Sequence, residues 1–310
     1  MLSDFKLEKE KDLTFGLNSQ QTAQIYKAQS PLDYEVLSDD DELLYNEIID
    51  LKVALDITSE FYDVCAVTIV KAAMPCGVAL GRDIEDAYVK AFDCDPISSV
   101  NGVVAFSKTV DEKVASQIKK AGFCIVASPD FSSKALDILR GVEGLKIVKI
   151  NTSLEEYKKL ENVEIEVTPF GILVQSQDRK ELDKDSFKVV SKRKPTAEEI
   201  EDAVFAWKIV KHAKSEAVVI AKDFKTLAIS QGNTCRVCAI ERALDYACND
   251  SKDAILASDG IIPAIDSIFA AVQGRISLII QTGNGEKSII SAVDKYNTVM
   301  IETGISHLKY

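Results

Sequence analysis

Short apolar runs alternate with amphipathic segments along most of the chain. Runs of β-branched and aliphatic residues predict buried strands, whereas apolar positions at three- and four-residue spacing predict helices. The predicted strands are 64–70, 102–107, 124–128, 145–150, 217–223, 225–231, 254–259, 277–282 and 298–303. The predicted helices are 43–61, 84–92, 111–121, 132–140, 196–210, 234–248, 263–273 and 286–295. This alternation is typical of a sheet with helices packed on its faces.

The same order of elements occurs in both halves of the chain, which favours one αβα unit used twice. The predicted division is an N-terminal arm, 1–63, a first αβα subdomain, 64–165, a connecting segment, 166–194, and a second αβα subdomain, 195–310. Near the start of the second subdomain, Thr196 and Glu199 have the spacing of a capping box, which predicts that a helix begins there.

Composition narrows the functional classes. The chain has 310 residues, and 37 Lys+Arg against 49 Asp+Glu give a formal net charge of −12, which argues against non-specific binding to nucleic acid or anionic membranes. A hydrophobic content of 46% excludes a disordered chain. No apolar run reaches the about 18–20 residues of a membrane helix, and the first residues are charged rather than signal-like. A cytoplasmic location is therefore expected.

Cysteine and histidine positions bear on metal and redox chemistry. The seven cysteines are scattered and odd in number, which predicts reduced, packed thiols rather than a disulfide framework. The one CxxC is Cys235 to Cys238, and a redox role for it is the minor alternative. With only two histidines, His212 and His307, no zinc site is expected. His212 is predicted either to complement a helix C-terminus or to bind a ligand, and His307 to lie on the surface or in a docked tail.

Small polar loops are the candidate ligand-binding segments. Neither the P-loop nor the dinucleotide fingerprint occurs, so those nucleotide-binding classes are excluded. Polar loops at strand ends form ligand sites in open α/β sheets, although each alone is also an ordinary turn. The loops are 71–77, 94–102, 231–237, 258–266, 281–287 and 302–307.

Seven segments, taken in chain order, resemble motifs of the aminoimidazole carboxamide ribonucleotide (AICAR) transformylase domain of the bifunctional purine-biosynthesis enzyme. FGLNSQQTA over 15–23 echoes RYGENPHQ, and VKAAMPCGVA over 70–79 echoes VKHANPCGVA. The other similar segments are 94–102, 190–196 with 205–217, 232–238, 258–266 and 303–310. The resemblance extends from about residue 13 to the end of the sequence.

This resemblance implies two tandem cytidine-deaminase-like αβα subdomains without zinc. It implies a homodimer whose active sites lie across the subunit interface. The implied reaction transfers a formyl group from the co-substrate 10-formyltetrahydrofolate to the amine of AICAR, without a metal. The cyclohydrolase domain that precedes this region in the bifunctional enzyme is expected to be missing.

The resemblance also assigns site residues. Lys71 matches the lysine of the family's catalytic Lys-His pair, and His212 and His307 are the candidate replacements for the histidine. The implied substrate-binding residues are Gly16, Asn18, Gln21, Asp95, Gly102 and Gly304. The implied folate-binding residues are Arg236, Asp259, Pro263 and Asp266.

Several positions depart from the family motifs. Ala72 stands where the family has the histidine that moves a proton, and Met74 replaces an asparagine. Thr14 and Ser306 replace arginines, and Glu216 replaces an asparagine. Loss of general acid–base help costs about 10²–10⁴ in rate. Two hypotheses follow: a formyltransferase with an altered nucleotide pocket, or a non-catalytic or re-purposed paralogue that binds folate, a nucleotide or a partner subunit.

Overall fold

The computed structural model describes residues 8–28, 30–39, 42–183, 187–283 and 285–310. Parts of the predicted arm, of the connecting segment and of the loop 281–287 lie outside these residues. The described chain is built around a twelve-stranded mixed sheet, accompanied by two separate two-stranded sheets. Among the described helices, none combines the length and apolar character needed to cross a membrane.

The first repeat follows a small hairpin of β1 (Lys9–Leu13) and β2 (Ala23–Tyr26). Its elements are β3 (Tyr34–Val36), α1 (Tyr45–Ser59), β4 (Cys65–Lys71), β5 (Met74–Gly81), α2 (Ile84–Cys94), β6 (Val103–Phe106), α3 (Glu112–Ala121), β7 (Ile125–Ser128), α4 (Ser133–Arg140) and β8 (Lys146–Ile150). A short helix, α5 (Leu154–Tyr157), and a separate hairpin of β9 (Val163–Thr168) and β10 (Gly171–Ser176) follow.

The second repeat has the same order of elements. They are β11 (Lys188–Val189), α6 (Ala197–Val210), β12 (Val218–Lys222), β13 (Lys225–Ser230), α7 (Arg236–Ala247), β14 (Ile255–Ser258), α8 (Ile265–Gln273), β15 (Leu278–Gln281), α9 (Lys287–Lys295) and β16 (Val299–Glu302). Each of these elements has a counterpart in the first repeat at a nearly constant separation along the chain. The predicted α/β class with a tandem αβα unit is therefore confirmed.

The strand order places the two repeats back to back. It is β11-β16-β15-β14-β12-β13-β5-β4-β6-β7-β8-β3, so the second half runs through the equivalents of the first half in reverse. In each half an antiparallel hairpin adjoins three parallel strands, and a short antiparallel strand closes the outer edge. The halves meet where β13 runs antiparallel to β5, with Lys225 opposite Ala79. The repeats thus share one sheet.

Helices cover both faces of this sheet. On one face α1 and α6 pack against strands of both repeats in a single apolar cluster that includes Ile57 and Trp207. On the other face α2, α3 and α4 cover the first repeat, and α7, α8 and α9 cover the second. Thr196 begins α6 with the predicted capping box, since its hydroxyl accepts from Glu199 N at 3.2 Å and its own N–H donates to the Glu199 carboxylate at 2.9 Å.

Two parts of the first repeat differ from the sequence-based expectation. The predicted loop 71–77 is instead the tight turn of the β4–β5 hairpin and the beginning of β5. The reason is a two-residue turn made by Ala72 and Ala73, which lacks the glycine or asparagine that normally marks such a turn. Helix α1, placed in the predicted arm, packs on β4 and β6 as the counterpart of α6. The subdomain boundaries themselves stay a prediction.

The β4–β5 turn generates a stability prediction. Ala72 is exposed and has a φ of 51°, where glycine is favoured over residues with a Cβ. We expect Ala72→Gly to raise the free energy of unfolding by about 0.5–1 kcal/mol, because relief of the left-handed strain exceeds the entropy lost by glycine. Urea unfolding measures this free energy. Ala197→Gly, in the exposed first turn of α6, is the control and should not raise the stability of the protein. An unchanged or lower stability of Ala72→Gly would contradict the strain argument.

Candidate functional site

The contact between β5 and β13 brings the β4–β5 turn to one edge of the second repeat. Gln231, which follows β13, donates from Nε2 to the carbonyl of Pro75 at 3.2 Å and accepts from Lys214 N at 3.3 Å. Ser215, which follows Lys214 in the chain, donates from Oγ to the Asp259 carboxylate at 2.5 Å. A chain of contacts therefore links the turn to the carboxyl end of β14.

Lys71 ends β4 and directly precedes the turn. The side chain of Asp50, on α1, accepts from Ala72 N at 3.1 Å and from Ala73 N at 2.5 Å. Lys71 Nζ donates to the carbonyl of Asn101 at 2.7 Å. Burial raises the pKa of Asp50, while the two N–H donors and the charge of Lys71 oppose that shift. The turn is thus tied on one side to a helix and on the other to the loop before β6.

Two predicted substrate-binding residues lie on that loop. Asp95 accepts from Ser98 N at 2.9 Å and so forms a turn just after α2. A Cβ on Gly102 would lie 2.8 Å from the carbonyl oxygen of Val70, so glycine is required for β6 to begin against β4. The structure thereby brings Lys71, Asp95 and Gly102 to one loop cluster.

A buried ionic cluster lies at the carboxyl end of β14. Asp259 is 0% exposed and accepts from Ser215 Oγ and, at 3.1 Å, from Ala217 N. Arg236, the first residue of α7, is 5% exposed and forms ion pairs with Asp259 and Glu216. Its Nη1 also donates to the carbonyl of Ala217 at 2.7 Å, whereas its Nε has no partner among the described residues. Buried charges need such partners, because desolvating them is costly.

The other predicted folate-binding residues, Pro263 and Asp266, flank the beginning of α8. Asp266 is exposed in the first turn of that helix. The segment is fixed against β15, since Ile262 N donates to the side chain of Gln281 at 2.7 Å. The four predicted folate-binding residues therefore share one edge of the sheet.

The C-terminal tail packs against this edge. Gly304 turns the chain at a φ of 70°, and His307 N then donates to the carbonyl of Asp259 at 2.9 Å. The His307 side chain is 1% exposed, its Nδ1 lies 2.5 Å from Asp178 Oδ2, and its ring centre lies 5.2 Å from that of Trp207. Its Nε2 has no partner among the described residues. Burial raises the pKa of Asp178, but the hydrogen bond to His307 holds it below the ordinary value.

His212 belongs to a second buried ionic group. Its Nε2 lies 3.2 Å from Glu60 Oε1, and Lys211 and Lys158 contact the same carboxylate at 3.0 and 2.9 Å. Burial opposes ionisation of Glu60, yet the hydrogen bond from His212 and the nearby lysine charges hold its pKa well below the usual range. Burial lowers the pKa of His212, although the hydrogen bond with Glu60 and the charge of that carboxylate oppose the shift.

The three predicted catalytic residues are divided between two places. His212 and His307 line one cavity of about 1430 Å³ between α1, the β9–β10 hairpin and the C-terminal tail. Lys309 lines the same cavity, and burial lowers its pKa. Lys71 is not among the lining residues and lies instead at the β4–β5 turn.

The predicted substrate-binding residues Gly16, Asn18 and Gln21 come together in the loop between β1 and β2. Gly16 N donates to the carbonyl of Gln21 at 2.8 Å, and Asn18 Nδ2 donates to the Gln21 side chain at 3.0 Å. In the same loop, Thr14 Oγ1 donates to Glu42 at 2.7 Å. Among the described residues, no hydrogen bond connects this loop to Lys71.

The expectation of seven reduced thiols is wrong for two of them. Cys235 and Cys238 are joined by a disulfide, and the other five cysteines are free. Cys235 caps α7, so the two side chains face each other across the first helical turn. The sequence signal for this disulfide was the CxxC spacing of the two cysteines at the predicted beginning of a helix. Among the described residues, no group of three His, Cys, Asp or Glu is placed to hold a metal.

Sequence reasoning missed Asp50, Glu60 and Asp178 as members of these groups. Asp50 had a usable signal, because it stands beside Ile49 and Leu51 in an apolar helix and so predicts a buried, partnered carboxylate. Asp178 lies in the charged connecting segment, where composition indicates only exposure.

Comparison with known proteins gives consistent matches. Residues 2–246 match a family model described as AICARFT/IMPCHase bienzyme. The bifunctional purine biosynthesis protein PurH of Thermoanaerobacter sp. (strain X514) is 40% identical over 312 residues, which cover 99% of this chain and 60% of that protein. PurH of Caldicellulosiruptor saccharolyticus is 41% identical over 315 residues, with 98% and 60% covered. The chain thus spans about 60% of the length of these relatives.

The Glu60 group generates a pH prediction. Because its pKa is lowered on folding, Glu60 contributes stability that is present above its ordinary value of 4.5 and is lost as the pH falls below it. We expect Glu60→Gln to lower the free energy of unfolding by about 3 kcal/mol at pH 7, since Lys211 and Lys158 lose their charged partner. The deficit should shrink as the pH approaches 3.

Urea unfolding at several pH values measures this effect. Glu155→Gln, which removes an exposed helical ion pair with Lys159, is the control and should change stability little at any pH. A deficit for Glu60→Gln that stays constant from neutral to acid pH would show that folding does not lower the pKa of Glu60.

Proposed function

Because the chain belongs to the AICARFT/IMPCHase bienzyme family, we propose that it is a formyltransferase of purine biosynthesis with an altered nucleotide pocket. In the proposed reaction the exocyclic amine of AICAR attacks the formyl carbon of 10-formyltetrahydrofolate. The bond between that carbon and the folate nitrogen breaks, the amine loses a proton, and the folate nitrogen gains one. The observation that carries this proposal is the Lys71 turn linked to the Asp259 cluster at one sheet edge.

Lys71 supplies the positive charge for this reaction. An ammonium beside the formyl oxygen stabilises the negative charge that develops there during attack. The neighbouring proton-transfer group is missing, because Ala72 carries no titratable atom. Residue 72 is nevertheless exposed in a left-handed conformation, in which histidine is among the better tolerated residues. The backbone therefore still suits an imidazole.

The nucleotide end of the proposed site has weak anion-binding chemistry. Thr14 donates to the carboxylate of Glu42, and Ser306 Oγ lies 3.1 Å from the hydroxyl of Thr282. Neither position offers the guanidinium that would contact a phosphate in charge-assisted hydrogen bonds. These contacts support a high KM for AICAR.

Neither histidine lies beside residue 72, since both line a cavity whose lining does not include Lys71. The Nδ1 of His307 lies 2.5 Å from the Asp178 carboxylate, and its Nε2 is buried without a partner among the described residues. His212 has its Nε2 engaged by Glu60 instead. In this proposal the amine proton passes to water, and turnover is slow because no imidazole stands at position 72.

A non-catalytic paralogue is the second candidate function. Ala72 and the pairing of Glu216 with Arg236 favour it, since both weaken chemistry without disturbing the fold. Isothermal titration with AICAR and with a folate analogue, alongside a formyl-transfer assay, separates the candidates. A formyltransferase binds both and turns over, whereas the paralogue binds one or both without turnover.

The β9–β10 hairpin supports a homodimer. It lies outside the twelve-stranded sheet, and Val167 and Ile172, paired across it, are 77% and 63% exposed. Leu173 and Phe170 add exposed apolar surface to the same hairpin. Exposed large apolar side chains grouped on one element are typical of an interaction site. We assign it to a second copy of the chain.

The first functional prediction concerns the missing imidazole. We expect Ala72→His with Met74→Asn to raise kcat for formyl transfer by at least tenfold, because general acid–base catalysis contributes about 10²–10⁴ in rate. KM for AICAR should stay high until Thr14→Arg and Ser306→Arg are added. Steady-state assays measure both constants. Asp223→His, at the equivalent turn position of the second repeat, is the control and should leave kcat unchanged; equal kcat for the native and repaired proteins would contradict the proposal.

The second prediction concerns association. Light scattering should give a mass of about twice 34.0 kDa at micromolar concentration. We expect Val167→Thr with Ile172→Thr to shift the protein towards the monomer, because the exposed apolar pair is lost while strand-forming residues remain. Tyr246→Ser, which removes an exposed aromatic side chain from α7, is the control. A native protein that is a monomer, or a hairpin variant that dimerises normally, would rule out this interface.

A further inference from the structure

The β4–β5 and β12–β13 hairpins are built alike in the two repeats. Each has a two-residue turn with positive φ at both positions, 51° and 60° at Ala72 and Ala73, and 53° and 55° at Asp223 and Phe224. Each hairpin also has a register shift just before the turn. The second turn is therefore an internal reference for the first.

Each turn is held by an aspartate from the helix that precedes the hairpin. Asp50, on α1, accepts one N–H of the first turn on each carboxylate oxygen. Asp202, on α6, does the same for the second turn, accepting from Asp223 N at 2.9 Å and from Phe224 N at 2.8 Å. Burial raises the pKa of both aspartates, and the N–H donors oppose the shift in both.

Each turn is also preceded by an equivalent lysine. Lys71 Nζ donates to the carbonyl of Asn101 at 2.7 Å, and Lys222 Nζ donates to the carbonyl of Lys252 at 2.9 Å. Both carbonyls belong to the loop that leads into the first parallel strand of their repeat. Because each lysine directly precedes its turn, we expect a change in the turn conformation to move the lysine relative to this carbonyl.

A carboxylate is suited to holding such a turn, because its two equivalent oxygens can each accept one of the two N–H groups. Two consecutive left-handed residues direct their N–H groups to one side, where they form a small anion site. Left-handed L-residues cost about 1–2 kcal/mol each, and Ala-Ala lacks the Asn-Gly preference for such turns. An asparagine offers one oxygen and a clashing NH₂ group, so Asp→Asn removes one of the two hydrogen bonds.

The two turns differ in how much else fixes them. The carbonyl of Phe224 accepts from Leu80 N at 2.9 Å, and its ring lies 6.2 Å from that of Phe205. The first turn has only methyl side chains, of which that of Ala72 is exposed. The conformation of the first turn therefore depends more on Asp50 than that of the second turn depends on Asp202.

We propose that Asp50 is a positioning residue that holds the β4–β5 turn in its left-handed form and so places Lys71 and residue 72 for the reacting groups. The role in catalysis rests on the proposed formyltransferase function, whereas the role in placing Lys71 does not. Asp50 itself touches no substrate in this account and acts through the backbone N–H groups of the turn.

The test compares Asp50→Asn with Asp202→Asn, the same change in the equivalent turn. Hydrogen exchange and trace acylation, both read by mass spectrometry, report the turn amides and the lysine amines. We expect Asp50→Asn to speed exchange in the peptide around Ala72 and to change acylation of Lys71 at least twofold, with Lys222 unaffected. Asp202→Asn should leave the first turn and Lys71 unchanged. Unchanged exchange and acylation in Asp50→Asn would overturn the proposal.

The second part of the test applies the formyl-transfer assay to the same variants. We expect Asp50→Asn to lower kcat at least tenfold with little change in KM for the folate, and Asp202→Asn to keep kcat within twofold. Ala72→Asn with Ala73→Gly, a pair that favours this turn by itself, should restore Lys71 acylation and kcat in the Asp50→Asn background. Equal loss of kcat in both aspartate variants would mean a general structural role. Absence of turnover in the native protein would refute the proposed function, and the exchange and acylation results would still decide the positioning role.

Discussion

The antiparallel contact between β5 and β13 is the constraint on which the candidate site depends. It reverses one repeat relative to the other, so the hairpin turn of the first repeat reaches the carboxyl ends of the parallel strands of the second. A sheet in which the repeats met in parallel would place Lys71 at the opposite end from Asp259. The same reversal sends the second turn towards the first repeat, where the carbonyl of Phe224 accepts from Leu80 N at 2.9 Å. The ring of Phe224 packs on Phe205 of α6 instead of meeting an ionic cluster.

Buried charge then gives the site its chemistry and its rigidity. Asp259 connects to three other segments, because it contacts Ser215 and Ala217 before β12, Arg236 on α7 and, through its carbonyl, His307 in the tail. Removing one partner from such a group leaves an uncompensated charge, which is far more damaging than losing an exposed pair. The Arg236 guanidinium is occupied by two carboxylates, so an anionic ligand at this edge would have to compete with Glu216 for it.

Most of the fold follows from hydrophobic patterning, because its strands are short, apolar and separated by amphipathic helices with good caps. Patterning failed at β5, where Ala72 and Ala73 form a turn without glycine or asparagine, and where the conformation depends on Asp50 from a distant helix. Hydrophobic patterning also placed α1 in the N-terminal arm instead of the first repeat. The equivalence of α1 and α6 is seen in the topology of the sheet and not in the sequence. Motif similarity located Lys71, Arg236 and Asp259, but the contacts of Asp50 with the turn and of Glu216 with Arg236 follow only from the tertiary structure.

The central claim is that the Lys71 turn and the Arg236–Asp259 edge form one ligand site. A crystal structure of the protein with AICAR and a folate analogue tests it most directly. The account predicts a ligand within hydrogen-bond distance of Lys71 from one protomer and of the residues beside Asp259, with the base of the nucleotide next to residue 72. Ligands bound only in the cavity lined by His212 and Lys309, without contact to the β4–β5 turn, would contradict it.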